Sequence, residues 1–486
     1  MKPAAETSEM TPRHAHRNVV LTAAIAGLGG LLFGYDTGII ASALLFIKND
    51  FGLDSFEQGV VVAAVPIGAV AGAAFAGPLA DTYGRRRMII ISAVVFIVGA
   101  AISSAAGGLT VLTAARVLIG IAIGIASAAA PVYISEVAPP EERGRLVSFF
   151  QLSVTVGILV AYLVGLAFNG IEGWRWMLGL GCVPAIALGI GMIRMPQSPR
   201  WLVMTGDDYE ARAVLARIRS GDPTTIEHEL LEIKESLGVE RPGAWSELLT
   251  PVIRAALFVG VGMAILQQVT GINTVIYYAP TIVQFTGVNS SASAILAAVG
   301  VGIVNVGMTV VALRLLDSRG RRPLLMVGVS GMVLSLVLLG CAFIGGGGAG
   351  TLGSVVAIVS LMLYVAAFAI SLGPIFWLLN AEIYPLHVRS KAAGIGTMAN
   401  WTFNFIVSLT FLPLIDGIGR SGSFWFYAAI GMLTLWFCWK FVPETKDKPL
   451  EDIQAYFEQR VADKGKGRPK PKPPAAAPPT APTAPA

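Results

Sequence analysis

The sequence predicts an all-α membrane protein of twelve helices in two related six-helix halves, with cytoplasmic amphipathic helices between them. Three observations carry this: an apolar, charge-poor composition, twelve apolar stretches of membrane length, and motifs that recur half a chain apart. Of 486 residues, 55% are hydrophobic and 13% charged, against about 25% charged in soluble domains. A mean hydropathy of +0.70 is incompatible with a water-covered surface over most of the chain, so lipid must be part of the solvent.

A helix needs about 20 apolar residues to cross a bilayer. Such stretches occur at 19–47, 59–79, 88–107, 109–133, 146–168, 176–193, 252–286, 292–314, 323–343, 353–382, 389–415 and 421–441. They are continuously apolar rather than alternating, which predicts helices and not barrel strands. The chain divides into an N-terminal segment (1–18), a six-helix half (19–196), a polar linker (197–250), a second half (251–442), a C-terminal segment (443–463) and a tail (464–486). Residues 1–17 are polar and lead straight into the first span, with no cleavable signal pattern, so that span is expected to act as the signal anchor. The linker has helix-period apolar positions at Ala211, Val214, Leu215 and Ile218, then at Ile226, Leu230, Ile233 and Leu237. The tail is Lys/Pro/Ala-rich and predicts disorder.

The net charge of +5 suggests nucleic acid only until its distribution is read. Of 35 Lys and Arg, Lys48, Arg175 and Arg420 fall in loops after odd-numbered spans and Arg116 deep inside a span; the other 31 lie in the termini, in the loops after even spans or at the span ends bordering them. This positive-inside bias predicts cytoplasmic termini and no nucleic-acid partner. Cys182, Cys341 and Cys438 lie far apart in apolar spans, expected as small core residues; they have no disulfide or metal spacing.

The repeat is the strongest feature. Asp81-x-x-Gly84-Arg85-Arg86 returns as Asp317-x-x-Gly320-Arg321-Arg322, and Glu136-x-x-Pro139-x-x-x-Arg143 as Glu382-x-x-Pro385-x-x-x-Arg389. Pro196-Gln197-Ser198 is echoed by Pro443-Glu444-Thr445, and the three offsets are 236, 246 and 247 residues. Each pair occupies the same cytoplasmic place in a six-span half. Carboxylates and arginines there can pair across the halves when the inner face closes and separate when it opens. The same residues could instead only fix topology and cap helices. Transporters are commonly built from such repeats, with substrate near the midplane between them.

The segments GGLLFGYDTG (29–38), GPLADTYGRRR (77–87), RVLIGIAIG (116–124), PVYISEVAPPEERGRLVSFFQL (131–152), PQSPRWL (196–202), QQVTGINTVIYYAP (267–280), DSRGRRPLL (317–325), GPIFWLLNAEIYP (373–385), NWTFNF (400–405) and PETK (443–446) resemble the sugar porter family of the major facilitator superfamily, which includes bacterial sugar–proton symporters. The resemblance covers about residues 19–455 and implies the major facilitator fold. Thr82 and Ser318 stand where the family usually has Arg or Lys, Gln197 where it has Glu, and Asp447 where it has Gly. These departures soften the cytoplasmic charge network.

A sugar needs many hydrogen bonds and a flat apolar face. Gln151, Gln267, Gln268, Asn273, Asn305, Asn400 and Asn404 are conspicuous amides inside apolar helices, and Trp377 follows the Gly373-Pro374 break. Amides also serve as interhelical hydrogen bonds worth about 0.6 to 2 kcal/mol. The resemblance assigns sugar contact to Gln151, Gln267, Gln268, Asn273, Asn305, Trp377 and Asn400, with Trp377 as the stacking platform, while Asn404 and Trp401 match less closely. It makes Tyr277 and Tyr278 gating tyrosines on the extracellular side. Ala369 stands where facilitative mammalian glucose transporters carry a Glu.

Asp36 and Arg116 are ionisable residues well inside apolar spans, which marks them as functional candidates. Counting from the ends of their spans, their depths differ by about 6 Å, so they can pair. An apolar surround favours the neutral acid and a nearby guanidinium favours the carboxylate, a competition that suits a switching proton carrier. The resemblance agrees, since proton-coupled porters carry an Asp at this position facing the Arg of the fourth span.

The expected activity is import of a monosaccharide with a proton by alternating access, through a monomer in the cell (inner) membrane with no cofactor or metal. Alternatives are a facilitative uniporter, against which Asp36 argues, and a nutrient sensor, which would need a long folded cytoplasmic extension. No phosphate-binding G-x-x-x-x-G-K-[ST] loop occurs. His14, His16, His228 and His387 lie at ends and loops without a nucleophile–base cluster, so no enzyme is expected.

Overall fold

The computed structural model describes residues 12–219, 223–239, 244–344, 350–446, 448 and 450–465. Among them eleven helical stretches are long and apolar enough to cross a membrane, from His16–Asp50 to His387–Phe441. The last has 55 residues, roughly 82 Å at 1.5 Å per residue, nearly three times a hydrocarbon core. It is two spans: Gly419 (φ 75°, ψ 168°) leaves helical geometry inside the continuous stretch Leu386–Phe441. With that division there are twelve spans, at the positions the apolar stretches predict.

In chain order the first five are Pro12–Asp50, Ser55–Tyr83, Arg85–Ser104, Leu109–Val137 and Arg143–Ala167. The sixth is Trp174–Gly179 with Cys182–Arg194. The seventh is Pro251–Val269, continued by Ile272–Tyr277 and Ala279–Gln284. The eighth and ninth are Ser291–Arg319 and Arg321–Ala342, and the tenth is Gly350–Ala369 with Leu372–Glu382. The eleventh and twelfth share Leu386–Phe441. Local chemistry sets the ends. Asp54 Oδ1 accepts from Glu57 N at 2.8 Å while Glu57 Oε2 accepts from Asp54 N at 3.1 Å, a capping box opening the second span.

Within the first half, span one packs along span five and span two along span four. Small residues permit this. A Cβ on Gly34 would come within 1.8 Å of the Val154 carbonyl oxygen, so no larger residue lets the two backbones meet there. The halves meet where span two lies on span eleven, span five on span eight, and span one on the broken part of span seven. Exposed Val94, Leu163, Leu334, Val355 and Leu363 cover the outside of the bundle, as a lipid-facing surface requires.

The linker forms Pro199–Met204, Asp208–Ile218, Pro223–Val239 and a short 3₁₀ turn, Trp245–Leu249. Ala211, Val214, Leu215, Ile218, Ile226 and Leu230 are buried, as their spacing predicts. Two expectations need correction, and one helix has no counterpart among them. The first helix begins at Pro12, not near residue 19, because its polar first turns rest on the linker, where the Asn18 side chain donates to the Arg217 carbonyl. The C-terminal segment carries a helix, Leu450–Gly465, that packs on span seven through buried Ile453 and Phe457; the tail from 466 lies outside the described residues. Cys341 is exposed rather than a core residue, while Cys438 is buried and Cys182 intermediate.

A central amide-lined cavity and a buried ion pair

Two breaks shape the centre. Gly271 adopts φ 94° between two pieces of span seven, and a Cβ there would sit 3.0 Å from the Tyr427 ring. Span ten breaks at Ser371 (φ −127°, ψ −101°). The Gln267 side-chain amide bridges these breaks, donating to the Leu372 carbonyl at 2.7 Å and the Gly373 carbonyl at 3.4 Å.

A cavity between the halves is open to about 90 Å³ of water. Gln151, Gln267, Gln268, Asn273, Asn305, Trp377 and Asn400 all line it, so the structure brings together every residue named for sugar contact. Four of the amides are bonded to one another. Asn400 donates to Gln267 Oε1 (2.6 Å), Gln268 to Asn400 Oδ1 (3.0 Å), and Asn273 to Gln268 Oε1 (2.6 Å). Trp377 and Phe368 contribute apolar wall, and Ala369 leaves its position without a charge.

Asn404 and Trp401 also line the cavity, and the Trp401 ring lies 5.2 Å from Phe33 across the seam. Sequence reasoning missed Phe33, Thr37, Thr155 and Thr309, which line it too. Thr37 follows Asp36 in the chain, a signal available in the sequence; the others fall among ordinary apolar or hydroxyl residues.

Arg116 and Asp36 are both buried. Arg116 Nη1 lies 3.3 Å from Asp36 Oδ1 and Nη2 lies 3.4 Å from Oδ2, while Nε donates to the Val61 carbonyl at 2.8 Å. Three spans therefore converge on one guanidinium. The Thr37 and Asn404 side chains both lie beside the Tyr277 side chain, which connects the neighbour of Asp36 to the cavity wall. Tyr278 points elsewhere, donating to the Ser408 carbonyl inside the second half. Tyr162 donates to the Ile276 carbonyl across the seam at 2.8 Å. These cross-seam contacts lie at or beyond the cavity, on the side away from the linker helices.

On the face carrying the linker helices, the repeated motifs form matching clusters. Arg85 contacts Asp81 at 2.9 Å and Glu136 at 3.2 Å; Arg321 contacts Glu382 at 3.0 Å. Arg86 Nε donates to the Met192 carbonyl and Arg322 Nη2 to the Trp439 carbonyl. Arg143 and Arg389 donate to the Ser135 and Tyr384 carbonyls. The Asp317 side chain lies outside the described residues. In this conformation these pairs lie within each half, because spans three and nine start beside spans four and ten of their own bundles. Gln197 accepts from the Arg86 backbone, and Glu444 from the backbones of Arg321, Arg322, Thr445 and Lys446. Burial pushes the Glu444 carboxyl up, but these backbone donations outweigh it and hold the group below its usual range.

The described residues hold no group of three or more His, Cys, Asp or Glu arranged to bind a metal. Residues 22–457 match the family model described as sugar (and other) transporter. The chain is 41% identical over 437 residues to a D-xylose transporter of Levilactobacillus brevis, covering 90% of this chain and 95% of that one. It is 40% identical over 434 residues to a galactose-proton symporter of Escherichia coli, covering 88% and 92%. It is 37% identical over 453 residues to an arabinose-proton symporter of Bacillus subtilis, covering 92% and 96%. Among solved structures it is similar to a partially occluded inward open conformation of the xylose transporter XylE from E. coli, with TM-score 0.79, 33% identity and coverage of 89% and 100%. XylE bound to 6-bromo-6-deoxy-D-glucose, described as a major facilitator superfamily proton:xylose symporter, matches with TM-score 0.76, 34% identity and coverage of 91% and 99%. The chain thus has the major facilitator fold and belongs to the sugar (and other) transporter family, as a multi-pass membrane transporter and not an enzyme.

Proposed function

We propose that this protein imports a monosaccharide, a hexose or pentose, together with a proton by alternating access. One observation carries the reading: the buried Asp36–Arg116 pair stands one residue from Thr37, which lines a cavity of interlocked amides. Amides gripping adjacent hydroxyls and a tryptophan face for the C–H surface suit a sugar. A carboxylate buried against a guanidinium suits a proton. Relatives at about 40% identity, named as galactose-proton and D-xylose carriers, support both assignments.

In this reading Asp36 takes a proton from outside, its hold on Arg116 relaxes, and sugar-bound closure is permitted. Gln151, Gln267, Gln268, Asn273, Asn305 and Asn400 bind the sugar, Trp377 stacks on it, and Tyr277 closes over it from the outer side. The motif clusters around Arg85, Glu136, Arg321, Glu382 and Glu444 tie the inner ends of each half together and release or engage the inner gate. Both termini lie in the cytoplasm, the protein resides in the cell (inner) membrane, and it works as a monomer with the domain limits given by the spans. The test is Asp36→Asn in proteoliposomes: uphill accumulation under a proton gradient disappears while sugar counterflow persists. Retained uphill accumulation would remove the coupling role.

A further inference from the structure

A second cavity opens over the seam on the face opposite the termini, external in the proposed orientation. Its volume is about 640 Å³, within the usual range for small-molecule sites. Lys48, Ser55 and Gln58 line it from the first half, and Asp416, Arg420 and Ser421 from the junction of spans eleven and twelve. Leu412, Ile415 and Phe343 supply apolar wall.

The charges in this cavity are unbalanced and not ion-paired with one another. No carboxylate lies within ion-pair distance of Lys48 or Arg420 among the described residues, and no cation within that distance of Asp416. Arg420 is nevertheless held rigid: Nη1 donates to the Phe285 carbonyl at 2.8 Å and its guanidinium sits 4.7 Å from the Phe285 ring centroid. Lys48 is half-buried, and a partly desolvated ammonium without a counter-ion draws an anion. Two cations against one carboxylate leave a single positive charge to be met. A halide would satisfy that charge but not the hydroxyl and amide groups of Ser55, Gln58 and Ser421, nor the apolar wall.

We propose that this cavity binds a small polyhydroxylated monocarboxylate, a sugar acid of the uronate class. Its carboxylate is held by Lys48 and Arg420, and its hydroxyls bond Asp416, Ser55, Gln58 and Ser421. The ligand touches both halves, so while bound it holds the outer face closed. It therefore slows import without occupying the central cavity.

The test uses the purified full chain with D-glucuronate as probe, D-glucose as neutral control and acetate as small-anion control. Calorimetric titration in detergent is expected to show glucuronate binding that weakens at least about tenfold in Lys48→Gln and in Arg420→Gln and survives in Lys48→Arg. Unchanged melting temperatures of the variants show that they are folded. In proteoliposomes external glucuronate is expected to lower the maximal rate of sugar uptake, a loss that raising the sugar concentration does not overcome. The binding arm stands whether or not the protein imports sugar. No glucuronate binding, equal binding of acetate, binding insensitive to Lys48→Gln, or competitive inhibition would each overturn the proposal.

Discussion

Asp36 and Arg116 meet as a two-pronged pair inside the first half, with Arg116 also anchored to the Val61 carbonyl. Removing one partner leaves the other charge buried and unpaired, at a cost of about 3–5 kcal/mol. Arg116→Ala is expected to lower the melting temperature sharply. The double variant Asp36→Asn, Arg116→Gln is expected to recover most of that loss but not uphill accumulation. Thermal melts in detergent and gradient-driven uptake separate the two effects.

Gln267 donates to the Leu372 and Gly373 carbonyls and accepts from Asn400 and Gln268. Gln267→Ala removes sugar contacts and frees the break in span ten. A neutral hydrogen bond contributes about 0.5–1.5 kcal/mol, and two or three lost together raise KM by about tenfold or more. Equilibrium binding of labelled sugar should weaken in step; unchanged affinity would place the sugar elsewhere.

Gly271→Ala tests the break in span seven. At φ 94° a side chain costs about 1–2 kcal/mol, and its Cβ also presses on the Tyr427 ring at 3.0 Å. Lower thermal stability and slower transport are both expected. A stable, fully active variant would show that the break is not needed.

Glu444 titrates below its usual range, held there by backbone donors that outweigh its burial. A carboxyl depressed on folding contributes stability that is full above its unfolded value, about 4.3, and is lost as pH falls through the folded value. Glu444→Gln should therefore melt earlier than the parent at neutral pH, and the gap should narrow on acidification toward and below pH about 4. Gln197→Glu, which places a carboxylate at the matching site of the first half, should raise the neutral-pH melting temperature.

Much of this was legible because lipid imposes length and apolarity on every span. The twelve stretches, the linker helices and the paired motifs followed from that constraint and from the repeat. The Asp36–Arg116 contact was legible from depth, since a charge pair inside hydrocarbon has few places to go, and from the resemblance, which sets the two face to face. The seven named sugar-contact residues needed the resemblance, because an amide in a membrane helix reads equally as glue. The Leu450–Gly465 helix escaped notice because its burial rests on two residues, Ile453 and Phe457, in a polar setting. The confinement of the Arg85 and Arg321 ion pairs to their own halves depends on which neighbour lies nearest, and sequence spacing does not encode that.

The interlocked amides have a consequence for turnover. An incoming sugar exchanges one set of hydrogen bonds for another rather than filling unmet ones, so the net gain on binding stays small. A carrier built this way releases cargo readily into a compartment where it is already concentrated. Because these four amides can bond one another, the carrier can also reset without dragging their unsatisfied dipoles through a dry intermediate. Weak grip and quick return are then two results of the same bonds from Gln267 through Asn400 and Gln268 to Asn273.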